Sequence, residues 1–249
     1  MEVLLFIQKL FIDEYMKKTI EYYNTLAREY DNIYRDTKYM RSVEYKVLKD
    51  EVKKDYLILD VGCGTGEHLV YLRDYNILGL DISIEMAKRA KDKSGKFVVV
   101  GDIQHLPFKS RSFNCVISFF GALNHVQINR ALKEIRRVLV KGGVFIFTIA
   151  NLYHMRWIVR SLLRRGWENT LKSIKKRRGD ITRVVDGKRI KISTRFYSLR
   201  EIEVLLKKHN FHIKYTFGTY ITNSPLDTLL YKTFLKYFGG YIGAVVVKR

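Results

Sequence analysis

The chain has 249 residues, 47% of them hydrophobic, which is enough for one large α/β domain with a substantial core. Its 46 basic and 25 acidic residues give a net charge of +21. The excess is concentrated in the C-terminal part, where residues 156–191 hold 13 basic and only 3 acidic side chains. Such a one-signed segment favours an anionic acceptor, RNA or an anionic membrane surface as partner. It fits poorly with the mixed ion-pair networks of heat-adapted proteins.

The two cysteines, Cys63 and Cys115, lie in unrelated segments. They indicate neither a disulfide framework nor a metal site, and they favour the cytoplasm as location. Residues 1–11 are apolar, but no positively charged region precedes them and no small-residue cleavage site follows, so they make a poor signal peptide. They are also too short to span a bilayer. No transmembrane segment is predicted, and Met16 is an alternative to Met1 as the start of the protein.

The predicted elements begin with two amphipathic helices that form an N-terminal cover over residues 1–55. A core of alternating strands and helices follows over residues 56–151, in which Ser83 caps one helix and Gly142 closes another. Strands are predicted at 56–61, 76–81, 96–100, 113–119 and 144–150, and helices at 17–34, 39–52, 65–74, 84–93 and 128–140. This alternation predicts a doubly wound, mainly parallel α/β sheet.

The alternation breaks after the fifth strand, where we predict a basic insert over residues 152–197 that covers the substrate. It comprises a helix at 154–176 and a hairpin around Asp186-Gly187, a pair that favours a tight β-turn. The remaining residues, 198–249, are predicted to complete a seven-stranded sheet with a helix at 199–209 and strands at 211–217 and 241–248. The stretch 229–241 is interpreted as a buried closing helix, with contact to an anionic membrane as the alternative.

A glycine-rich turn carries the strongest functional signal. The run Asp60-Val61-Gly62-Cys63-Gly64-Thr65-Gly66 follows an apolar strand, and Asp81 ends the next one. Glycines let the backbone approach a ligand closely, and ligands bind at the carboxyl ends of parallel strands. A nicotinamide dinucleotide site would need a third glycine where Glu67 stands, and two carboxylates would repel its pyrophosphate. Asp60 suits a ligand with an ammonium group instead.

This run closely resembles the first motif of the class I S-adenosylmethionine-dependent methyltransferases, in the branch that includes quinone and other small-molecule enzymes. Four further segments agree in order and spacing: Leu80–Ser83 with Met86, Gly101–Phe108, Phe113–Ser118 and Leu139–Gly143. The resemblance implies a Rossmann-like fold and S-adenosylmethionine as cofactor. The cofactor-binding residues that it implies are Asp60, Gly62, Cys63, Gly64, Thr65, Gly66, Asp81, Ile82, Met86, Asp102, Ile103, Ser118 and Phe119, with Tyr23 and Tyr30 closing over the cofactor.

The acceptor is predicted less sharply. Ser118-Phe119-Phe120-Gly121 departs from the Asn-Pro-Pro-Tyr type of motif of amino-directed nucleobase methyltransferases, which argues against exocyclic base amines. His125 is a candidate general base, because imidazole titrates near neutrality. Asn124, Arg156 and Arg160 are candidate substrate contacts. We expect methyl transfer to a small-molecule or lipid-like acceptor, with tRNA or another RNA as the alternative, and a non-catalytic cofactor-binding regulator as a third interpretation.

Overall fold

The computed structural model describes residues 14–249. The predictions made for the first residues, including the weak signal peptide, lie outside this range. The helices are α1 (Glu14–Leu26), α2 (Tyr30–Ile33), α3 (Lys38–Glu51), α4 (Glu67–Tyr71), α5 (Ile84–Ser94), α6 (Ile128–Val138), α7 (Met155–Lys176), α8 (Leu199–Lys208) and α9 (Asp227–Leu230). Short 3-10 helices cover Arg35–Thr37, Ala122–His125 and Phe234–Phe238.

Seven strands form one sheet: β1 (Leu57–Val61), β2 (Asn76–Asp81), β3 (Val98–Val100), β4 (Phe113–Ser118), β5 (Leu139–Ala150), β8 (Phe211–Thr219) and β9 (Tyr241–Lys248). Their order in the sheet is β3-β2-β1-β4-β5-β9-β8. Strands β1 to β5 pair in parallel, and β9 is antiparallel to both β5 and β8. The predicted seven-stranded, mainly parallel sheet is confirmed. The strand order reverses between β1 and β4, which opens a crevice at their carboxyl ends.

Amphipathic helices cover the sheet because their apolar positions recur at helical spacing. The clearest case is α6, whose buried residues are Ile128, Ala131, Leu132, Ile135 and Val138. The second part of β5 is buried continuously from Gly143 to Ala150, as expected for a strand that is covered on both faces. The core therefore fixes the positions of the strand ends that carry the polar groups.

The fifth strand begins earlier than predicted, at Leu139 rather than Val144, and α6 ends at Val138. The two glycines between them were predicted to close the helix. Instead, Gly142 has φ +76° inside the strand, where the pairing with β4 shifts register between Phe113 and Cys115. A glycine in the left-handed region permits such a bulge, so the glycine pair bends a strand rather than capping a helix.

Two predicted helices are divided in the structure. The helix predicted for residues 17–34 is interrupted after Leu26 and resumes at Tyr30, which brings α2 over the glycine loop. The single closing helix predicted for residues 229–241 is wrong. A four-residue helix and a 3-10 helix occupy this region, because the Tyr231 carbonyl accepts a hydrogen bond from the Gly218 amide of β8 and the extended Thr233 caps the second helix by accepting from the Leu235 amide.

The segment after β5 forms α7 and a separate two-stranded sheet of β6 (Arg178–Val185) and β7 (Lys188–Arg195). Helix α7 bends at Gly166, whose φ of +76° is not helical, and the Ser161 and Thr170 hydroxyls hydrogen-bond across the bend at 2.9 Å. The hairpin turns at Asp186-Gly187 as predicted. An apolar cluster joins this hairpin to α1 and α5 through Tyr22, Leu26, Ala27, Met86, Val185 and Ile192.

Candidate active site

The glycine loop between β1 and α4 has the backbone that the sequence predicted. Gly62, Gly64 and Gly66 all have positive φ, between +54° and +86°. A Cβ on Gly62 would lie 2.4 Å from the Ala122 Cβ, and one on Gly66 would lie 2.9 Å from the Ala90 Cα. Neither position accommodates a side chain, so the loop can keep this shape only with glycine.

Asp81, at the end of β2, anchors the loop. Its carboxylate accepts hydrogen bonds from the Gly64 amide at 2.8 Å and the Ser83 amide at 2.9 Å. Burial raises the pKa of Asp81 to about 6, and these backbone hydrogen bonds oppose the rise. The side chain lines the cleft, so a buried acceptor faces any ligand that enters.

A second buried carboxyl lies below the loop. Asp60 is 1% exposed, and its Oδ2 atom has no hydrogen-bond partner. Burial raises the pKa of Asp60 to about 7; the nearby His68 imidazole lowers it, and the Asp81 and Glu44 carboxylates raise it further. A buried acceptor without a partner costs free energy unless a donor arrives, which favours a ligand with an ammonium group at this end of the cleft.

Glu44 and His68 form a buried pair that also lines the cleft. Their Oε2 and Nε2 atoms are 3.1 Å apart, and Thr148 donates to the other Glu44 oxygen at 3.2 Å. Burial lowers the pKa of His68, but the hydrogen bond and charge of Glu44 outweigh it and leave a net rise. The His68 ring stacks on Phe119 with centroids 4.5 Å apart, so the pair holds the loop after β4.

Charged side chains link the N-terminal helices to the glycine loop. Thr65 donates to Asp31 of α2 at 2.6 Å, and Lys93 of α5 pairs with both Asp31 and Glu67, at 3.0 and 2.8 Å. Arg41 of α3 also pairs with Glu67 at 3.3 Å. These contacts hold α2 and α3 against the loop and form one lip of the cleft.

The opposite end of the cleft is lined by Ile82, Met86, Asp102 and Ile103. Asp102 accepts a hydrogen bond from the Gln104 amide at 2.8 Å, and the Gln104 side chain in turn accepts one from the Gln127 amide at 3.0 Å. Three apolar side chains and one carboxylate together suit a nucleobase with an amino group.

Aromatic side chains form a wall of the cleft, two of them contributed by the N-terminal helices α1 and α2. Tyr23, Tyr30 and Phe120 line the cleft. Tyr34 and Tyr241 contact Phe120 from outside it, with ring centroids 4.9 and 5.5 Å away. Burial raises the pKa values of Tyr23 and Tyr30 well above their usual value, so both hydroxyls are protonated.

His125 lies in the same wall and is 6% exposed. Its Nδ1 is 3.3 Å from the carbonyl oxygen of Ser193 in β7. Because a carbonyl oxygen can only accept, we assign the ring proton to Nδ1 and the lone pair to Nε2. Burial lowers the pKa of His125 to about 4, so the imidazole is neutral at pH 7 with a free lone pair at Nε2. The same shift makes it a weak base, since a general base works best with a pKa near the operating pH.

The structure brings most of the predicted site residues to one cleft. Those that line it are Tyr23, Tyr30, Gly62, Cys63, Gly64, Thr65, Asp81, Ile82, Met86, Asp102, Ile103, Phe119 and His125. Three more lie in the supporting layer: Asp60, Gly66 and Ser118. Asn124 bridges the end of β5 to β7, accepting from the Ala150 amide and donating to the Arg195 carbonyl, so it positions backbone rather than lining the cleft. Arg156 and Arg160 lie on α7, also outside the lining.

Sequence reasoning missed the Glu44–His68 pair, Arg41 and Phe120 as parts of the cleft. A signal for the pair was available in α3, where Glu44 occupies an apolar stripe with Met40, Val43 and Val47. A carboxylate at a buried helical position needs a partner, and His68 immediately follows the glycine loop. No comparable pattern marked Phe120.

Within residues 14–249, no helix is long and apolar enough to span a bilayer, and no group of three or more His, Cys, Asp or Glu side chains is arranged to hold a metal ion. The cleft instead presents carboxylates at Asp81 and Asp102 beside a glycine cradle, and Asp60 is buried in the supporting layer. They fit a cationic nucleoside: ammonium near Asp60, ribose hydroxyls at Asp81 and base at Asp102. The fold and this cleft define a class, the Rossmann-like enzymes that bind a nucleoside cofactor at the switch point of the sheet.

Comparison with known proteins gives the family. Residues 59–147 match the model of the methyltransferase domain. The chain is 53% identical over 228 residues to the uncharacterized protein MJ1252 of Methanocaldococcus jannaschii, covering 92% of this chain and 90% of the other. The fold is also similar to a SAM-dependent methyltransferase from Thermotoga maritima, with a TM-score of 0.67, 23% identity and coverage of 92% and 99%. The chain is a class I S-adenosylmethionine-dependent methyltransferase.

A third relative is a Campylobacter jejuni ubiquinone/menaquinone biosynthesis C-methyltransferase. It is 32% identical over 147 residues, which cover 52% of this chain and 62% of that protein. The matched region thus spans less than two thirds of this relative.

Proposed function

We propose that the protein methylates a small aromatic or lipid-like acceptor, held against the aromatic wall of the cleft. The observation that carries this proposal is the wall itself: Tyr23, Tyr30, Phe120 and His125 line the same cleft as the carboxylates. Flat rings pack favourably against aromatic faces and edges. The similarity of half the chain to a quinone C-methyltransferase supports an acceptor of this kind.

When bound, S-adenosylmethionine supplies a methyl group already activated on a sulfonium, so the protein's main task is positioning. The glycine loop, Asp60 and Asp81 would fix the donor. The aromatic wall would hold the acceptor and exclude water. His125 would accept a hydrogen bond from the acceptor at Nε2, since its Nδ1 donates to the Ser193 carbonyl and its low pKa keeps it neutral. The low pKa makes it a weak general base, so it would orient the acceptor more than deprotonate it.

The test uses labelled S-adenosylmethionine with separate lipid, metabolite and RNA fractions of the source cell. We expect label in a lipid or small-molecule product. Phe120→Leu should reduce transfer while cofactor affinity is retained. Phe97→Leu is the matched control, because Phe97 is 71% exposed before β3, far from the carboxyl ends of the strands. Label in RNA alone would contradict the proposal.

RNA methylation is the second candidate, and the charge of residues 156–191 favours it. Phosphate binding releases counterions, so RNA affinity would fall steeply with salt. Transfer that is insensitive to salt, into a low-molecular-mass product, would exclude it. Binding of S-adenosylmethionine without transfer to any fraction would support the third interpretation, a regulator.

A further inference from the structure

The first half of α7 carries two adjacent stripes of side chains. Met155, Val159 and Leu163 recur every four residues and form an apolar stripe; Arg156, Arg160 and Arg164 form a basic stripe beside it. We call these six residues the α7 face. Their side-by-side placement puts a guanidinium next to each apolar side chain.

This face is uncovered. Val159 is 47% exposed and Leu163 is 83% exposed, and Trp167, just past the bend, is 65% exposed. None of the three arginines forms an ion pair with a carboxylate among residues 14–249; Arg156 donates only to the Thr222 carbonyl, at 3.4 Å. Large apolar side chains grouped this way on a surface indicate an interaction site.

The face also lies at the functional edge of the sheet. Helix α7 begins five residues after β5 ends at Ala150. Asn151 donates to the carbonyls of Tyr237 and Gly239, and the Arg156 guanidinium lies 5.4 Å from the Tyr220 ring centroid. The helix start is therefore tied to the carboxyl-end loops, on the side where the cleft opens.

We propose that the α7 face docks on an anionic lipid bilayer. An interfacial helix inserts apolar side chains below the headgroups, and the arginine stems extend along the apolar surface so that the guanidinium groups reach lipid phosphates. RNA phosphates would satisfy the arginines, but Val159 and Leu163 offer an RNA neither charge nor a stacking surface. The bilayer is the occupant that uses both stripes.

The chain provides its own probe of this contact. Its two tryptophans, Trp157 and Trp167, both lie on α7. Tryptophan emission therefore reports on this helix alone. Adding phosphatidylglycerol-containing phosphatidylcholine vesicles to the full chain should shift the emission to shorter wavelength, and pure phosphatidylcholine vesicles should produce little change.

Substitutions in the basic stripe and in the apolar stripe test the contribution of each to vesicle binding. Each of Arg160→Ala and Arg164→Ala should weaken co-sedimentation with anionic vesicles roughly fivefold, and Leu163→Ser should weaken it roughly tenfold. Arg89→Ala and Lys91→Ala, at exposed positions of α5, are the charge controls, and Phe97→Ser is the apolar control. Every variant should retain affinity for S-adenosylmethionine, which shows that it is folded.

Three outcomes would overturn the proposal. The first is a lack of binding to anionic vesicles. The second is an equal loss in the α5 controls. The third is binding of tRNA that the arginine variants weaken and Leu163→Ser does not, without vesicle binding; this would assign the face to RNA. Vesicle binding does not require knowledge of the acceptor, so its failure and the failure of the proposed methyl transfer are separate results.

Discussion

The two halves of the cleft are built by different means. The cofactor side uses buried carboxylates, positive-φ glycines and backbone hydrogen bonds, and its atoms are already in place. The side that we propose for the acceptor uses aromatic rings, and it adjoins a hairpin that packs on α1. The donor side therefore depends on fixed backbone geometry, whereas the proposed acceptor side depends on side-chain surfaces.

The largest expected effect comes from removing the Asp81 carboxylate. Asp81→Ala should weaken binding of S-adenosylmethionine by at least roughly a hundredfold, because the carboxylate would no longer accept charge-assisted hydrogen bonds from the two ribose hydroxyls. Isothermal titration calorimetry measures this. Asp92→Ala, at an exposed position of α5, is the control and should bind normally. Unchanged affinity in Asp81→Ala would contradict the assigned role of the preformed side.

The glycine loop should be sensitive to crowding as well as to backbone conformation. Gly66→Ala is expected to destabilise the protein by about 2–3 kcal/mol, because the residue has φ +86° and its Cβ would meet Ala90. Gly95→Ala shares the left-handed conformation, with φ +67°, but faces open space. It should cost only about 1 kcal/mol. Equal losses in urea denaturation would show that crowding at Ala90 is unimportant.

Cofactor affinity should depend on pH. Burial raises the pKa of Asp60 to about 7 and that of Asp81 to about 6, and binding needs both ionised. Affinity should therefore fall as pH drops through 7 and 6, by up to roughly tenfold per pH unit for each proton. Titrations across this range check it, and Asp81→Asn should flatten the lower part of the profile.

The same two carboxyls have the opposite effect on the stability of the cofactor-free protein. Their folded pKa values are raised, so their contribution is largest below the unfolded pKa of about 4 and is lost as pH rises through 6 and 7. His125 opposes them, because its pKa is lowered to about 4 and protonation costs stability below about 6.5. Urea denaturation should show stability falling from pH 6 to 7 without cofactor and staying nearly constant with saturating cofactor, because the bound and the unfolded states both hold these carboxyls ionised. An equal fall in both conditions would contradict this linkage.

The smallest expected effect concerns the lip of the cleft. Lys93→Met removes the pairs to Asp31 and Glu67, which are partly buried, and should cost about 1 kcal/mol. Lys88→Met removes an exposed pair with Glu85 and should have almost no effect. Thermal unfolding distinguishes the two variants, because only Lys93→Met should lower the unfolding temperature by more than the experimental error. This decrease should be smaller at high salt, which screens the ion pairs.

The sequence predicted the backbone of the glycine loop and the position of Asp81 at the end of β2, because such a loop requires particular residue types at fixed spacing. The glycines, Asp81 and the β-strand alternation all follow from local rules. The Glu44–His68 pair and Phe120 depend on contacts between distant segments, which no local pattern determines. The same limit explains the error at residues 229–241: the Tyr231 carbonyl accepts a hydrogen bond from the Gly218 amide of β8, 2.8 Å away, instead of continuing a helix.

The packing of the hairpin on α1 has a kinetic consequence. Tyr22 and Leu26 of α1 share one apolar cluster with Val185 and Ile192 of the hairpin, and α1 also contributes Tyr23 to the cleft. Parts of α1 and of the hairpin therefore belong to one packed cluster beside the cleft, and we expect them to open and close together. We expect ordered turnover: the donor enters first, and the demethylated cofactor leaves last, after the methylated product has departed. Product-inhibition patterns would reveal this sequence.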